Sequence, residues 1–161
     1  MGFEAEPYKE GESEFDVVFE RDGGRLLGEA EGKDNKAVNV DKLRQLAMNI
    51  HEDLAREEVS SPAKGLLFGN GFRLRPPNAR GAQFTDKCIS AALSQSTALV
   101  ATSDLFLAAQ YLSEHSDEDY KARCRDALLN GTGLVTLPGP PDRRVEDVAQ
   151  VVSEVATLGT S

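Results

Sequence analysis

The stretch Arg21-Asp22-Gly23-Gly24 most limits what this chain can fold into. Asp-Gly-Gly supplies the positive φ angles that a tight hairpin turn needs. The runs on either side are β-rich. Residues 14–20 (EFDVVFE) place Phe15, Val17 and Phe19 on one parity and Asp16, Val18 and Glu20 on the other. Residues 25–31 (RLLGEAE) then return as the antiparallel partner. A weakly alternating segment at 3–8 reads as a further extended piece ahead of the hairpin.

The second strand of that hairpin poses the chemical question. Glu29, Glu31 and Lys33 alternate with Gly28, Ala30 and Gly32. On a strand, alternate side chains share a face, so two acids and a base point the same way. The small residues between them would let a helix pack close behind. Asp16 lies on the neighbouring strand, and adjacent strands run about 4.8 Å apart, so its carboxylate can share a site with the other two. Carboxylate and main-chain oxygens are the donors that Mg²⁺ takes, with water completing an octahedron. Glu29 can instead pair with Lys33 or Lys42, and a solvent-exposed Glu31–Lys33 pair would add little stability.

Downstream, the pattern switches to alternating helices and strands. Asn39 suits a helix N-cap, and Val40, Leu43, Leu46, Ile50 and Leu54 recur at helical spacing to about Glu58. Residues 64–69 (KGLLFG) read as a buried strand. Asn70-Gly71 reads as a turn, with residues 72–75 (FRLR) pairing back as an edge before Pro76-Pro77. Helical patterns follow at 83–95 and from Ser103 or Thr102, separated by a buried strand at 97–102. Ser116 and Asp119 are spaced as a capping box for a helix over 117–129, which Gly131 stops. A last strand is expected at 133–138. The order predicts an α/β fold with a mixed β-sheet flanked by helices, one domain over residues 1–137. Residues 138–161 form a proline-rich breaker and a carboxy-terminal helix marked by Val145, Val148, Val152 and Val155.

Composition narrows the classes. The 161 residues carry a net charge of −9, which argues against a general polyanion binder. The charge is uneven: residues 1–31 hold ten acids and three bases, whereas residues 59–103 hold five bases and one acid. No apolar run is long enough to span a bilayer and no basic leader precedes one, so a cytoplasmic protein without a membrane partner is expected. Cys88 and Cys124 lack ligand-spaced partners and are expected as buried free thiols. Ser96, Ser103 and the cysteines have no base partner in the pattern, which leaves nucleophilic hydrolase chemistry unsupported. His51 and His115 are isolated. Gly69-Asn70-Gly71 lacks the lysine and helix of a phosphate loop.

Asp16, a fourteen-residue gap and Glu31-Gly32-Lys33 resemble the core of the PD-(D/E)XK superfamily, the restriction endonuclease-like nucleases. The resemblance spans roughly residues 14–102, with the following helix, strand, helix and strand in the family's order. It implies a restriction endonuclease-like core and Mg²⁺-dependent hydrolysis of DNA, with Mn²⁺ as substitute. Asp16 and Glu31 would bind metal, with Glu29 as an extra acid, and Lys33 would assist the attacking water. In the helix, Val40-Asp41-Lys42-Leu43-Arg44-Gln45-Leu46 supplies Gln45, matching a glutamine that many branches carry, with Lys42 one turn earlier. Lys36, Lys42, Arg73 and Arg75, with Arg80 nearby, would contact nucleic-acid phosphates. Two departures stand out: Phe15 replaces the proline before Asp16, and the family's first helix has no room before Phe3. Either a region lies upstream or the fold does without that helix. Two other functions stay open, a catalytically silent interaction or DNA-docking module and an RNA-directed nuclease. Nucleases of this type often pair to cut two strands, which leaves a homodimer open.

Overall fold

A computed structural model of the chain describes residues 1–6, 17–21, 24–57 and 59–141. Their strands form one six-stranded mixed sheet in the order β1 to β6. β1 (Glu4–Glu6), β2 (Val17–Arg21) and β3 (Gly24–Gly32) make an antiparallel meander. β4 (Lys64–Asn70), β5 (Ala98–Ala101) and β6 (Gly133–Val135) then add in parallel. Parallel neighbours need crossovers. α1 (Val40–Leu54) joins β3 to β4, and α2 (Asp86–Ser94) joins β4 to β5. α3 (Thr102–Glu114) and α4 (Glu118–Asn130) join β5 to β6. The α/β fold with a mixed sheet and flanking helices expected from the sequence is present.

The side-chain alternation of the strands builds two cores. Odd-numbered Leu27, Leu67 and Leu99 pack against Leu43 and Leu46 of α1 and Cys88 and Ala92 of α2. Even-numbered Leu26, Leu66 and Val100 pack against Tyr120, Cys124 and Leu128 of α4. The central strands are therefore buried on both faces, which is why they read as continuous apolar runs. Both cysteines are buried free thiols. No helix among the described residues is long and apolar enough to cross a membrane.

Several boundaries differ from the sequence-based expectation. Residues 72–75 are a turn, not an edge strand. β4 already pairs with β3 on one side and β5 on the other, so no edge is open for a returning strand. α1 ends at Leu54, capped by the Ala55 N–H, four residues short of Glu58. α2 begins at Asp86, because the Thr85 side chain accepts from the Cys88 N–H. Phe84 precedes the helix and forms a bridge with Val38. α4 is capped by Asp117, whose carboxylate accepts the Tyr120 N–H at 2.8 Å, rather than by Ser116. Among the described residues, side chains of neighbouring strands and not of a helix stand nearest Gly28 of β3. Phe68 and Val17 fill that space, and a Cβ on Gly28 would stand 2.5 Å from Val17 Cγ1. The expected helix beyond Pro141 lies outside the described residues.

Candidate functional site

β3 and α1 form the seam on which the predicted site residues fall. Arg25, Leu27, Glu29 and Glu31 share the face of β3 that turns toward α1. Two ion pairs fix the helix against the strand. Near the start of β3, Arg25 Nη2 meets Asp53 Oδ1 at 3.1 Å, and Asp53 is fully buried. Further along, Lys42 Nζ meets Glu29 Oε2 at 2.7 Å, and Glu29 is fully buried as well. A carboxylate without solvent is costly unless it is paired and hydrogen-bonded. Glu29 is both: its Oε1 accepts from Asn49 Nδ2 at 2.6 Å. The Lys42 ammonium also donates to Gln45 Oε1 at 3.2 Å. Glu29, Lys42, Gln45 and Asn49 thus make one network across the strand and helix.

Glu31 stands two residues further along, about 6.7 Å by strand rise, beside its register partner Gly69 on β4. It forms an ion pair with Lys33, and both side chains are only partly shielded. Phe84 lies over Gly69, where an added Cβ would come within 2.3 Å of Cζ. Glycine at this position therefore lets an aromatic ring close the wall next to Glu31.

Past the carboxyl ends of β3 and β4, two loops are laced together. Lys33 N donates to Asn70 O at 3.0 Å, Arg73 N to Lys33 O at 2.9 Å, and Phe72 N to Lys36 O at 3.1 Å. Between them opens a hollow of about 390 Å³ lined by Gly32, Lys33, Asp34, Asn35, Lys36 and Arg73. Arg73 pairs with Asp34. Arg75 stacks over the Phe72 ring at 5.0 Å. Arg80 is committed elsewhere: it donates to Arg75 O, Asn70 Oδ1 and Arg73 O, at 2.9, 2.8 and 3.1 Å. It staples the loop that presents Arg73 and Arg75. His51 is exposed, and His115 stacks on Tyr111 far along the chain from these loops.

The structure therefore brings Glu29, Glu31, Lys33, Lys42 and Gln45 to one seam, with Lys36 and Arg73 at its mouth. Arg75 sits on the outer side of the same loop. Asp16 lies outside the described residues; it directly precedes Val17, whose register partner is Gly28. Asn49 was missed by the sequence reading. Its signal was available, since Asn49 is seven residues after Lys42 and so on the same helix face, among the apolar positions Leu46 and Ile50. The carboxylates of Glu29 and Glu31 are oxygen donors of the kind a hard divalent cation takes. Among the described residues, no three His, Cys, Asp or Glu side chains gather into a metal-holding group. Comparison with protein-family models, with curated proteins and with solved structures finds no match to this chain.

Proposed function

We propose that this chain has the restriction endonuclease-like core of the PD-(D/E)XK superfamily and hydrolyses phosphodiester bonds of DNA with Mg²⁺, or Mn²⁺ in its place. One observation carries the reading. A fully buried carboxylate and a mostly shielded one occupy successive same-face positions toward the carboxyl end of β3, both facing lysines. In open α/β sheets, ligands bind outside the carboxyl ends of the strands. The antiparallel meander leading into a helix and a parallel strand supports the same reading.

Glu31 and Glu29, with Asp16, would hold the metal; carboxylate oxygens are the donors a hard cation takes, and Glu29 would have to exchange its bond to Lys42 or Asn49 for it. When bound, such a cation polarises a phosphate and lowers the pKa of its water. The chain's own residues supply the rest. Lys33 and Lys42 place positive charge against the carboxylates, where it can offset charge building on the phosphate. Gln45 and Asn49 hold Lys42 and Glu29 in place. Lys36, Arg73 and Arg75 offer contacts for backbone phosphates at the mouth of the seam.

A second reading has its own support. Glu29 is satisfied by Lys42 and Asn49, and Glu31 by Lys33, all without a metal. That arrangement suits a nuclease fold kept as a DNA-docking module. Calorimetric Mn²⁺ binding to the wild type and Glu31→Ala, with cleavage of single- and double-stranded DNA and RNA as competitor, decides between them. The nuclease reading expects the wild type to bind and cut and the variant to do neither. A wild type that binds DNA but neither binds metal nor cuts a strand would refute it in favour of docking.

A further inference from the structure

Two lysines face the two carboxylates, and the structure gives them different surroundings. Lys42 projects from a helix whose start is fixed by the Asn39 cap, with the Asn39 side chain accepting the Asp41 N–H. Its ammonium is held from two directions, by Glu29 Oε2 at 2.7 Å and Gln45 Oε1 at 3.2 Å. Its side chain is 19% exposed and its partner carboxylate 0%. A charge so shielded acts on its neighbours at low effective dielectric. Lys33 lies beyond the end of β3, in the loop bonded to residues 70–73, and lines the open hollow with Lys36 and Arg73. Its side chain is 28% exposed, and its carboxylate partner Glu31 is 22% exposed where Glu29 is fully buried, so the two pairs differ in the carboxylate and in where each lysine is mounted more than in the shielding of the ammonium.

From this contrast we propose that the lysine acting at the reacting phosphate is Lys42 of α1, and that Lys33 belongs to the outer anion-binding hollow with Lys36 and Arg73. The inference rests on the nuclease reading. A group that acts on the reaction must be placed to within a fraction of an ångström by rigid neighbours, and Lys42 has them. In the step itself, water oxygen bonds to phosphorus and gives its proton to solvent, the bond to the leaving 3′ oxygen breaks, and that oxygen takes a proton from solvent to become the 3′-hydroxyl. Lys42 stays protonated throughout and offsets the charge that gathers on the phosphate oxygens. Lys33, Lys36 and Arg73 hold a flanking phosphate, which is a binding task and not a chemical one.

The test compares full-length wild type, Lys33→Met, Lys42→Met and Lys42→Gln. The glutamine variant keeps an N–H donor toward Glu29 should the methionine variant fail to fold. Two readouts are taken: cleavage of a DNA duplex with Mn²⁺, resolved into kcat and KM, and duplex binding in EDTA at several salt concentrations. Lys42 variants are expected to lose about 100-fold in kcat with KM and metal-free binding unchanged. Lys33→Met is expected to raise KM, to leave kcat unchanged and to reduce the salt slope of binding by about 1. The inference is overturned if Lys33→Met takes the kcat loss, or if the Lys42 variants weaken binding in EDTA while cutting normally. A wild type that neither binds Mn²⁺ nor cuts overturns the nuclease reading itself, and that result is visible before any variant is compared.

Discussion

Replacing Gly69 by alanine tests how tightly the wall of the seam is built. An added Cβ would lie 2.3 Å from Phe84 Cζ and 2.5 Å from Cε1. Carbon atoms rest at about 3.5–4.0 Å, so ring and methyl group would overlap by more than about 1 Å. Neither side yields easily. β4 is paired on both edges, and Phe84 is 2% exposed. The ring's backbone is pinned through Val38, with Val38 N donating to Gln83 O at 2.9 Å and Thr85 N to Val38 O at 3.0 Å. Overpacking of this kind costs about 1–3 kcal/mol, and the pinned backbone places Gly69→Ala at the upper end. With a urea m value of about 2 kcal/mol/M, the unfolding midpoint should fall by about 1.5 M. The assay is urea unfolding followed by circular dichroism, on wild type, Gly69→Ala, Phe84→Leu and the double variant. The smaller side chain of Phe84→Leu removes the clash, so the double variant should be more stable than the two single changes predict, with a coupling of about 1 kcal/mol or more. A Gly69→Ala midpoint equal to wild type, or strictly additive effects, would refute the packing argument.

Asn49→Ala removes the donor to the buried Glu29 carboxylate, and a hydrogen bond to a charged group is worth about 1.5–3 kcal/mol; urea unfolding should show a loss of that size, and an unchanged midpoint would mean that water replaces the amide. Asp117 gives a pH prediction. The Tyr120 backbone N–H, with help from the Tyr111 hydroxyl and Arg123, holds its carboxyl below the ordinary value of 3.8. A carboxyl lowered on folding stabilises above its unfolded value, and that contribution is lost as pH falls below 3.8 and through the folded value. Asp117→Asn keeps a capping side chain but cannot titrate, so its melting temperature should fall less steeply below that pH than the wild type's; parallel curves would contradict the assignment.

Much of the sheet was legible because its signals are local. The β-rich run at 25–31, the apolar runs at 64–69 and 97–102, the Asn39 cap and the Gly131 stop each act within a few residues, and each element formed. The misread segment, residues 72–75, has strand-like composition. Its fate was set by pairing partners far along the chain, since β5 occupies the edge that a hairpin would need. Phe84 is a similar case. It continues the apolar spacing of α2, yet the distant Gly69 opens a space that takes its ring outside the helix.

At the site, parity was legible and depth was not. The sequence puts Glu29 and Glu31 on one face but cannot rank them, because burial depends on which residues of α1 cover each. The covering side chains, Lys42, Gln45 and Asn49, follow helical spacing, and they settle over Glu29 rather than Glu31. The pair at the other end of the seam gives a standard for judging them. Arg25–Asp53 has the same construction, a strand residue and a helix residue joined around a fully buried carboxylate. It lies at the amino end of β3, away from the end where open α/β sheets bind ligands. Buried pairs often stabilise no better than apolar residues of similar volume, so two such pairs in one seam call for separate reasons. Arg25–Asp53 ties the last turn of α1 to the hairpin and needs no other role. Glu29–Lys42 lies toward the carboxyl end of β3, beside a second acid and a basic hollow, where the proposed nuclease function would use a charge held ready. On the proposed nuclease reading, replacing both members of the Arg25–Asp53 pair by apolar residues should therefore leave DNA cleavage intact, whereas the same exchange at Glu29–Lys42 should abolish it even in a protein that stays folded.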